Sequence, residues 1–148
     1  MKNSLFAVFA SFALLALMGC PPPASKCDLR FEDGEPFVLG QSLTACLNGA
    51  EAFSIRFDSI SGDSRCPVNV QCIWAGRADA VLTLSRGTNT RSVTLASGDL
   101  GQGGTGEVNF ERFKVKLESV EPAKEEGKPI AQKDYKVKLL VTTQQGSN

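Results

Sequence analysis

Residues 78–85 read Ala78-Asp79-Ala80-Val81-Leu82-Thr83-Leu84-Ser85, with an apolar side chain at every even position. Successive side chains of a β-strand point to opposite faces of the sheet, so this period of two indicates a strand with one buried face. The stretch Phe53-Ser54-Ile55-Arg56-Phe57-Asp58 repeats the pattern with larger apolar residues. Both stretches therefore predict strands, and the mature chain is expected to be all-β.

The same period returns along the rest of the chain. Further apolar stripes lie at Val93 and Leu95, at 113–117 and at 135–141, and shorter apolar runs lie at 37–39 and 43–47. Turn-forming Gly, Asn and Asp residues separate these stripes. About seven or eight such strands predict an antiparallel β-sandwich over residues 36–143, with a small barrel as the alternative.

The first twenty residues have the features of a signal peptide. Lys2 precedes an apolar run, residues 4–18, which is shorter than the ~20 residues that a membrane-spanning helix needs. Leu17-Met18-Gly19-Cys20 resembles the bacterial lipobox, whose cysteine becomes the lipid-bearing first residue of the mature chain. The resemblance implies that residues 1–19 are removed and that Cys20 carries the lipid. A plain secretory signal followed by a structural cysteine is the alternative.

Residues 20–35 are expected to be the lipidated N-terminus and its tether. Pro21-Pro22-Pro23-Ala24-Ser25 reads as an extended spacer, because proline lacks an amide proton and cannot join a helix or a strand ladder. In the lipoproteins that the lipobox implies, an aspartate after the cysteine tends to retain the protein at the inner membrane. Proline stands there in this chain, which favours a lipid anchor in the outer membrane of a bacterial envelope. At the other end, residues 144–148 are expected to fray.

Four cysteines remain if Cys20 carries lipid, and an even number agrees with oxidation outside the cytosol. They allow three pairings. We predict Cys27–Cys46 with Cys66–Cys72, which closes the shortest loops. A metal site would need Cys-x-x-Cys spacing or histidines, and the sequence has neither.

Composition narrows the classes of function. The chain has 148 residues, which suits one domain, and it has no histidine, which excludes Ser-His and Cys-His catalysis. Its 16 basic residues are balanced by 16 acidic ones. The basic residues are not clustered into a block of the kind that binds nucleic acid. We therefore expect a protein that is not an enzyme, with no catalytic residue, cofactor, metal or nucleic-acid partner.

One segment is not demanded by strand patterning. Asp63-Ser64-Arg65-Cys66-Pro67 is followed by a second cysteine, Cys72, and then by Trp74-Ala75-Gly76. This segment resembles one shared by a group of bacterial secreted proteins and lipoproteins, and the likeness extends over most of residues 37–143. The resemblance implies a β-domain outside the cytoplasm and implies no particular activity.

The segment has two interpretations. In the structural one, Trp74 buries its ring against the Cys66–Cys72 bridge and Arg65 forms a forked pair with Asp63 or Asp58. In the functional one, the rigid loop is a preorganised binding surface. Its candidate residues are Asp63, Ser64, Arg65, Pro67 and Trp74.

Three hypotheses for function follow. The leading one is an envelope lipoprotein, bound to the lipid bilayer through acylated Cys20, whose sandwich binds another envelope or extracellular protein or stabilises a surface assembly. The second is a protease inhibitor that uses residues 63–74 and depends on Arg65. The third is a carboxylate-dependent hydrolase with a site around Asp58, Asp63 and Asp79.

Overall fold

A computed structural model describes residues 26–49, 52–98, 100 and 103–145. The predicted signal peptide and the predicted lipidation site, Cys20, lie outside the described residues. Within the described ranges, no helix has both the length and the apolar character to cross a membrane.

Nine strands and one short 3-10 helix, Gln132–Asp134, make up the regular structure of the described chain. The strands are β1 (Leu29–Phe31), β2 (Phe37–Gly40), β3 (Thr44–Leu47), β4 (Phe53–Asp63), β5 (Arg77–Arg86), β6 (Asn89–Gly98), β7 (Glu107–Phe110), β8 (Phe113–Glu121) and β9 (Lys136–Thr143). The stripes found in the sequence correspond to β2 to β6, β8 and β9.

The strands form two sheets that pack face to face, so the predicted all-β sandwich is confirmed. One sheet has the order β1-β3-β4-β5-β6 and the other the order β2-β9-β8-β7. All neighbours are antiparallel except β1 and β3, which run parallel with Leu29 opposite Ala45 and Phe31 opposite Leu47. The predicted sandwich thus has one parallel pair, at the edge of the five-stranded sheet.

The domain begins earlier than the predicted boundary at residue 36. Residues 29–31, assigned to the tether from the sequence, form β1, and Phe31 is buried. Its ring stacks on Phe37 with centroids 4.3 Å apart and meets Phe53 edge-on. The free energy of burying this ring and the parallel pairing with β3 hold the segment in the sheet.

Alternating apolar side chains fill the space between the sheets. On β5, Ala78, Ala80, Leu82 and Leu84 are fully buried. Phe53 and Phe113 stack across the core with centroids 4.2 Å apart and join the two sheets. A period of two therefore identified the inner faces correctly, because the pleat sends every second side chain inward.

Both predicted disulfides are present. Cys27 is bonded to Cys46 with a Cα–Cα distance of 5.7 Å, and Cys66 to Cys72 with 6.0 Å. The first ties the chain before β1 to β3 inside the five-stranded sheet. The second lies in the connection between β4 and β5.

At the C-terminal end, the amide of Gln144 donates a hydrogen bond to the carbonyl of Arg112 at 2.7 Å. The chain is thus still attached to the sandwich one residue after β9 ends. Residues 146–148 of the predicted frayed tail lie outside the described residues.

Candidate functional site

The Asp63–Gly76 segment extends the β4–β5 hairpin beyond the sandwich. Ser64 donates its amide to the carbonyl of Arg77 at 2.8 Å, and Cys66 donates to Ala75 at 2.7 Å. The Cys66–Cys72 bridge then closes a loop, and we call residues 67–74 the tip. The tip is therefore held at its base by backbone hydrogen bonds and by a covalent bond.

Gly76 is required where the two legs of the hairpin approach each other. Its φ is +65°, and a Cβ there would stand 1.9 Å from the carbonyl oxygen of Ser64. Only glycine combines this left-handed conformation with so close a backbone contact. The glycine of the Trp-Ala-Gly segment thus has a structural role at the base of the tip.

An ion pair lies directly beneath the tip. Arg65 donates from Nε to Oδ1 of Asp63 at 2.8 Å and from Nη2 to Oδ2 at 2.6 Å. The hydroxyl of Tyr135 donates to the same Oδ2 at 3.0 Å, and Arg65 Nη1 donates to the carbonyl of Val120 at 2.6 Å. Val120 lies on β8 of the other sheet, and Tyr135 immediately precedes β9 of that sheet. We call these contacts of Asp63 and Arg65 the base network, and they join the two sheets at one end of the sandwich.

The electrostatics of the base network favour its charged form. Burial opposes ionisation of Asp63, but the hydrogen bonds and the positive charge of Arg65 outweigh it and hold the pKa of Asp63 below its usual value. The hydrogen bond to Asp63 raises the pKa of Arg65. Burial and the hydrogen bond to Asp63 raise the pKa of Tyr135, which therefore stays a neutral donor at physiological pH.

A second brace supports one side of the tip. Val68 donates its amide to the carbonyl of Lys124 at 2.8 Å, and the Asn69 side chain accepts from the amide of Glu126 at 2.8 Å. Lys124 also donates from Nζ to the carbonyl of Asp63 at 2.9 Å. The loop that precedes β9 therefore packs along the tip and restricts its motion.

The outer surface of the tip is apolar. Ile73 is 92% exposed, Trp74 73% and Val68 70%. No charged residue occurs between Arg65 and Arg77. When several large apolar side chains are exposed on a braced loop, the loop is more often a contact surface than an ordinary solvated turn.

The burial expected for Trp74 is wrong. Trp74 is 73% exposed, and the brace from Lys124 and Glu126 contacts Val68 and Asn69. No strand of either sheet covers the indole, so its ring faces solvent. The loss of about 3 to 5 kcal/mol that follows removal of a buried aromatic ring is therefore not expected for Trp74→Ala.

Of the five candidate binding residues, two have side chains that are occupied in the base network, and the other three do not take part in it. The side chains of Asp63 and Arg65, 9% and 15% exposed, are occupied in the base network. The Ser64 hydroxyl donates to the carbonyl of Arg77 at 3.2 Å, while Pro67 begins the tip and Trp74 stands at its surface. Sequence reasoning missed Val68 and Ile73, although the long uncharged stretch inside a loop was a signal for them.

Each of the three carboxylates suspected of catalysis is paired with an arginine. Asp58 lies 3.3 Å from Arg56 and accepts from the Thr83 hydroxyl at 2.7 Å. Asp79 lies 3.1 Å from Arg77, and Asp63 is held by Arg65. In the part of the chain that the structure covers, no three acidic, cysteine or histidine residues are arranged to hold a metal ion.

The geometry thus separates a buried polar base from an exposed apolar tip. Comparisons with protein-family models, with curated proteins and with solved structures gave no match.

Proposed function

We propose that this chain is a lipid-anchored protein of the bacterial envelope, that it is not an enzyme, and that its sandwich is a binding module whose contact element is the tip. The observation that carries the binding role is the exposure of Ile73, Trp74 and Val68 on a braced, uncharged loop. Exposed apolar surface lowers the solubility of a protein. Contact with another apolar surface would remove the side chains of the tip from water, which is favourable.

Rigidity supports a binding role. Association loses free energy when flexible loops become ordered, and a loop that is already ordered avoids that loss. The tip is closed by the Cys66–Cys72 bridge, and its base is fixed by the ion pair of Asp63 with Arg65. The backbone that carries its apolar side chains is therefore restrained before any partner arrives.

The electrostatics favour binding over catalysis. A hydrolase based on paired carboxylates needs one carboxyl with a raised pKa to act as an acid. In this chain the pKa of Asp63 is lowered, and Asp58 and Asp79 each lie beside an arginine. These are the features of structural ion pairs.

Metabolic labelling tests the anchor. Bacteria that express the full chain are grown with a labelled fatty acid, and we expect label on the wild type and none on Cys20→Ser, which should be released from the membrane fraction. Ser25→Ala, a change in the same tether that leaves the cysteine intact, is the control and should behave as the wild type. A wild-type chain without label would contradict the anchor.

Photo-crosslinking tests the contact element. A photoreactive residue at position 73 should capture an envelope component in living cells. The same residue at position 38, an exposed apolar site on β2, serves as the control. Equal capture at both positions, or none at either, would contradict a contact role for the tip.

A further inference from the structure

We infer that the tip inserts into the interfacial region of the same bilayer that holds Cys20, which makes it a second membrane contact. The inference rests on the proposed lipid anchor and names the surface that the tip engages. Two observations support it, the composition of the tip and its size, and the length of the tether allows both contacts.

The composition of the tip suits a membrane interface. Tryptophan is enriched at the boundary between headgroups and hydrocarbon, where its ring is buried and its N–H stays hydrated. Trp74 is exposed beside Ile73, and no charged side chain would have to leave water between residues 66 and 76. The polar Asn69 and Gln71 can remain among headgroups.

The size of the tip argues against a stable protein interface. Such interfaces take about 20–30 residues from each partner. The tip, residues 67–74, supplies far fewer, and the neighbouring segment that braces it bears the charged Lys124, Glu125, Glu126 and Lys128. Unlike a protein partner, a bilayer does not need a surface of complementary shape. Because the acyl anchor already holds the chain at the membrane, contact between the tip and the bilayer is intramolecular, and a weak insertion is enough.

The chain can reach the bilayer at both points. Cys46, the partner of Cys27, lies opposite Ser54 on β4. From Ser54 to Asp63 the strand extends about 30 Å, and the tip adds about 10 Å. The tether from Cys20 to Cys27 spans at most about 24 Å. With both contacts made, the long axis of the sandwich lies within about 40° of the bilayer plane.

Fluorescence offers a direct test, because Trp74 is the only tryptophan of the chain. The purified lipidated protein is reconstituted into phosphatidylethanolamine–phosphatidylglycerol vesicles, with and without brominated acyl chains. We expect a blue shift of the emission on reconstitution and a loss of intensity in brominated vesicles. Water-like emission that brominated lipid leaves unquenched would overturn the inference.

Variants connect the signal to the tip. In unlipidated Cys20→Ser chains, Ile73→Ser should weaken partitioning into the same vesicles about tenfold or more, the loss expected for one buried aliphatic side chain. Val38→Ser, an exposed aliphatic residue outside the tip, should leave partitioning unchanged. Equal effects of the two substitutions would contradict insertion by the tip.

Two other occupants have distinct signatures. A blue shift that appears without lipid and rises with protein concentration, together with an increased mass in solution, would indicate a second copy and overturn the inference. A position-73 crosslink to an envelope protein with no crosslink to phospholipid would also overturn it, while leaving the proposed binding function in place. Failure of the fatty-acid labelling instead contradicts the proposed function itself.

Discussion

Replacing Asp63 by asparagine should destabilise the sandwich by about 2–4 kcal/mol at neutral pH. The substitution keeps the shape of the side chain and removes its charge. It therefore tests whether the ion pair beneath the tip holds the two sheets together at this end of the molecule.

The magnitude follows from the contacts of the carboxylate. Asp63 accepts from Nε, Nη2 and the amide of Arg65 and from the hydroxyl of Tyr135. Asparagine offers one acceptor oxygen in place of two and leaves Arg65, 15% exposed, without its counterion. Removing one partner of a buried ion pair costs about 3–5 kcal/mol. Because Arg65 keeps some access to solvent, the loss that we expect for Asp63→Asn is smaller.

The pH dependence gives this prediction a second readout. Folding lowers the pKa of Asp63 from 3.8. Above that pH, the charged carboxylate therefore increases the free energy of unfolding. The gain is lost as the pH falls through the still lower pKa of the folded state. The stability difference between wild type and Asp63→Asn should hence be full above about pH 5 and shrink below about pH 4.

Urea unfolding of the oxidised proteins, followed from pH 2 to pH 7, measures both quantities. Asp79→Asn is the matched control, because its pair with Arg77 is more exposed and should contribute at most about 1 kcal/mol. Equal stabilities of wild type and Asp63→Asn at pH 7 would refute the reasoning, as would a difference that does not change with pH.

Three further predictions concern Gly76, Trp74 and the two disulfide bonds. Gly76→Ala should destabilise the fold by about 2 kcal/mol or more, because its methyl group would collide with the Ser64 carbonyl at a φ of +65°; thermal unfolding measures this, and an unchanged midpoint would contradict the close approach. Trp74→Ala should change the free energy of unfolding by less than about 1 kcal/mol, since the ring is exposed; a larger loss in urea would mean that the ring packs on the domain. Replacing both cysteines of the Cys66–Cys72 bridge by serine should cost about 2 kcal/mol and of the Cys27–Cys46 bridge about 3 kcal/mol, since the sequence separations are 6 and 19; the reverse order in urea would contradict the loop-entropy reasoning.

Local patterning carried much of the fold prediction. The stripes on β4, β5, β8 and β9 are long enough for the period of two to identify their buried faces, and short loops favoured the disulfide pairing that the structure has. Strand β1 escaped notice because three residues show no period. Phe31 is held there by its contacts with Phe37 and Phe53, which the sequence does not reveal.

The candidate site was predicted less completely, because its contacts are distant in sequence. The pairing of Arg65 with Asp63 is local and was expected as one of two choices. The hydrogen bond from Tyr135 to Asp63 joins residues 72 positions apart, and no local rule indicates it. The exposure of Trp74 depends on whether another segment covers the tip, which is also decided by the folded chain as a whole.

The Cys27–Cys46 bridge determines how mechanical load would enter the domain in the proposed anchored form. A pull on the tether reaches Cys27 first and passes through the covalent bond to β3, which lies between β1 and β4 in its sheet. The short edge strand β1 therefore does not have to resist the tension by its hydrogen bonds alone. Lateral drag on the membrane would be distributed over the interior of the five-stranded sheet, and β1 would not be peeled from its edge.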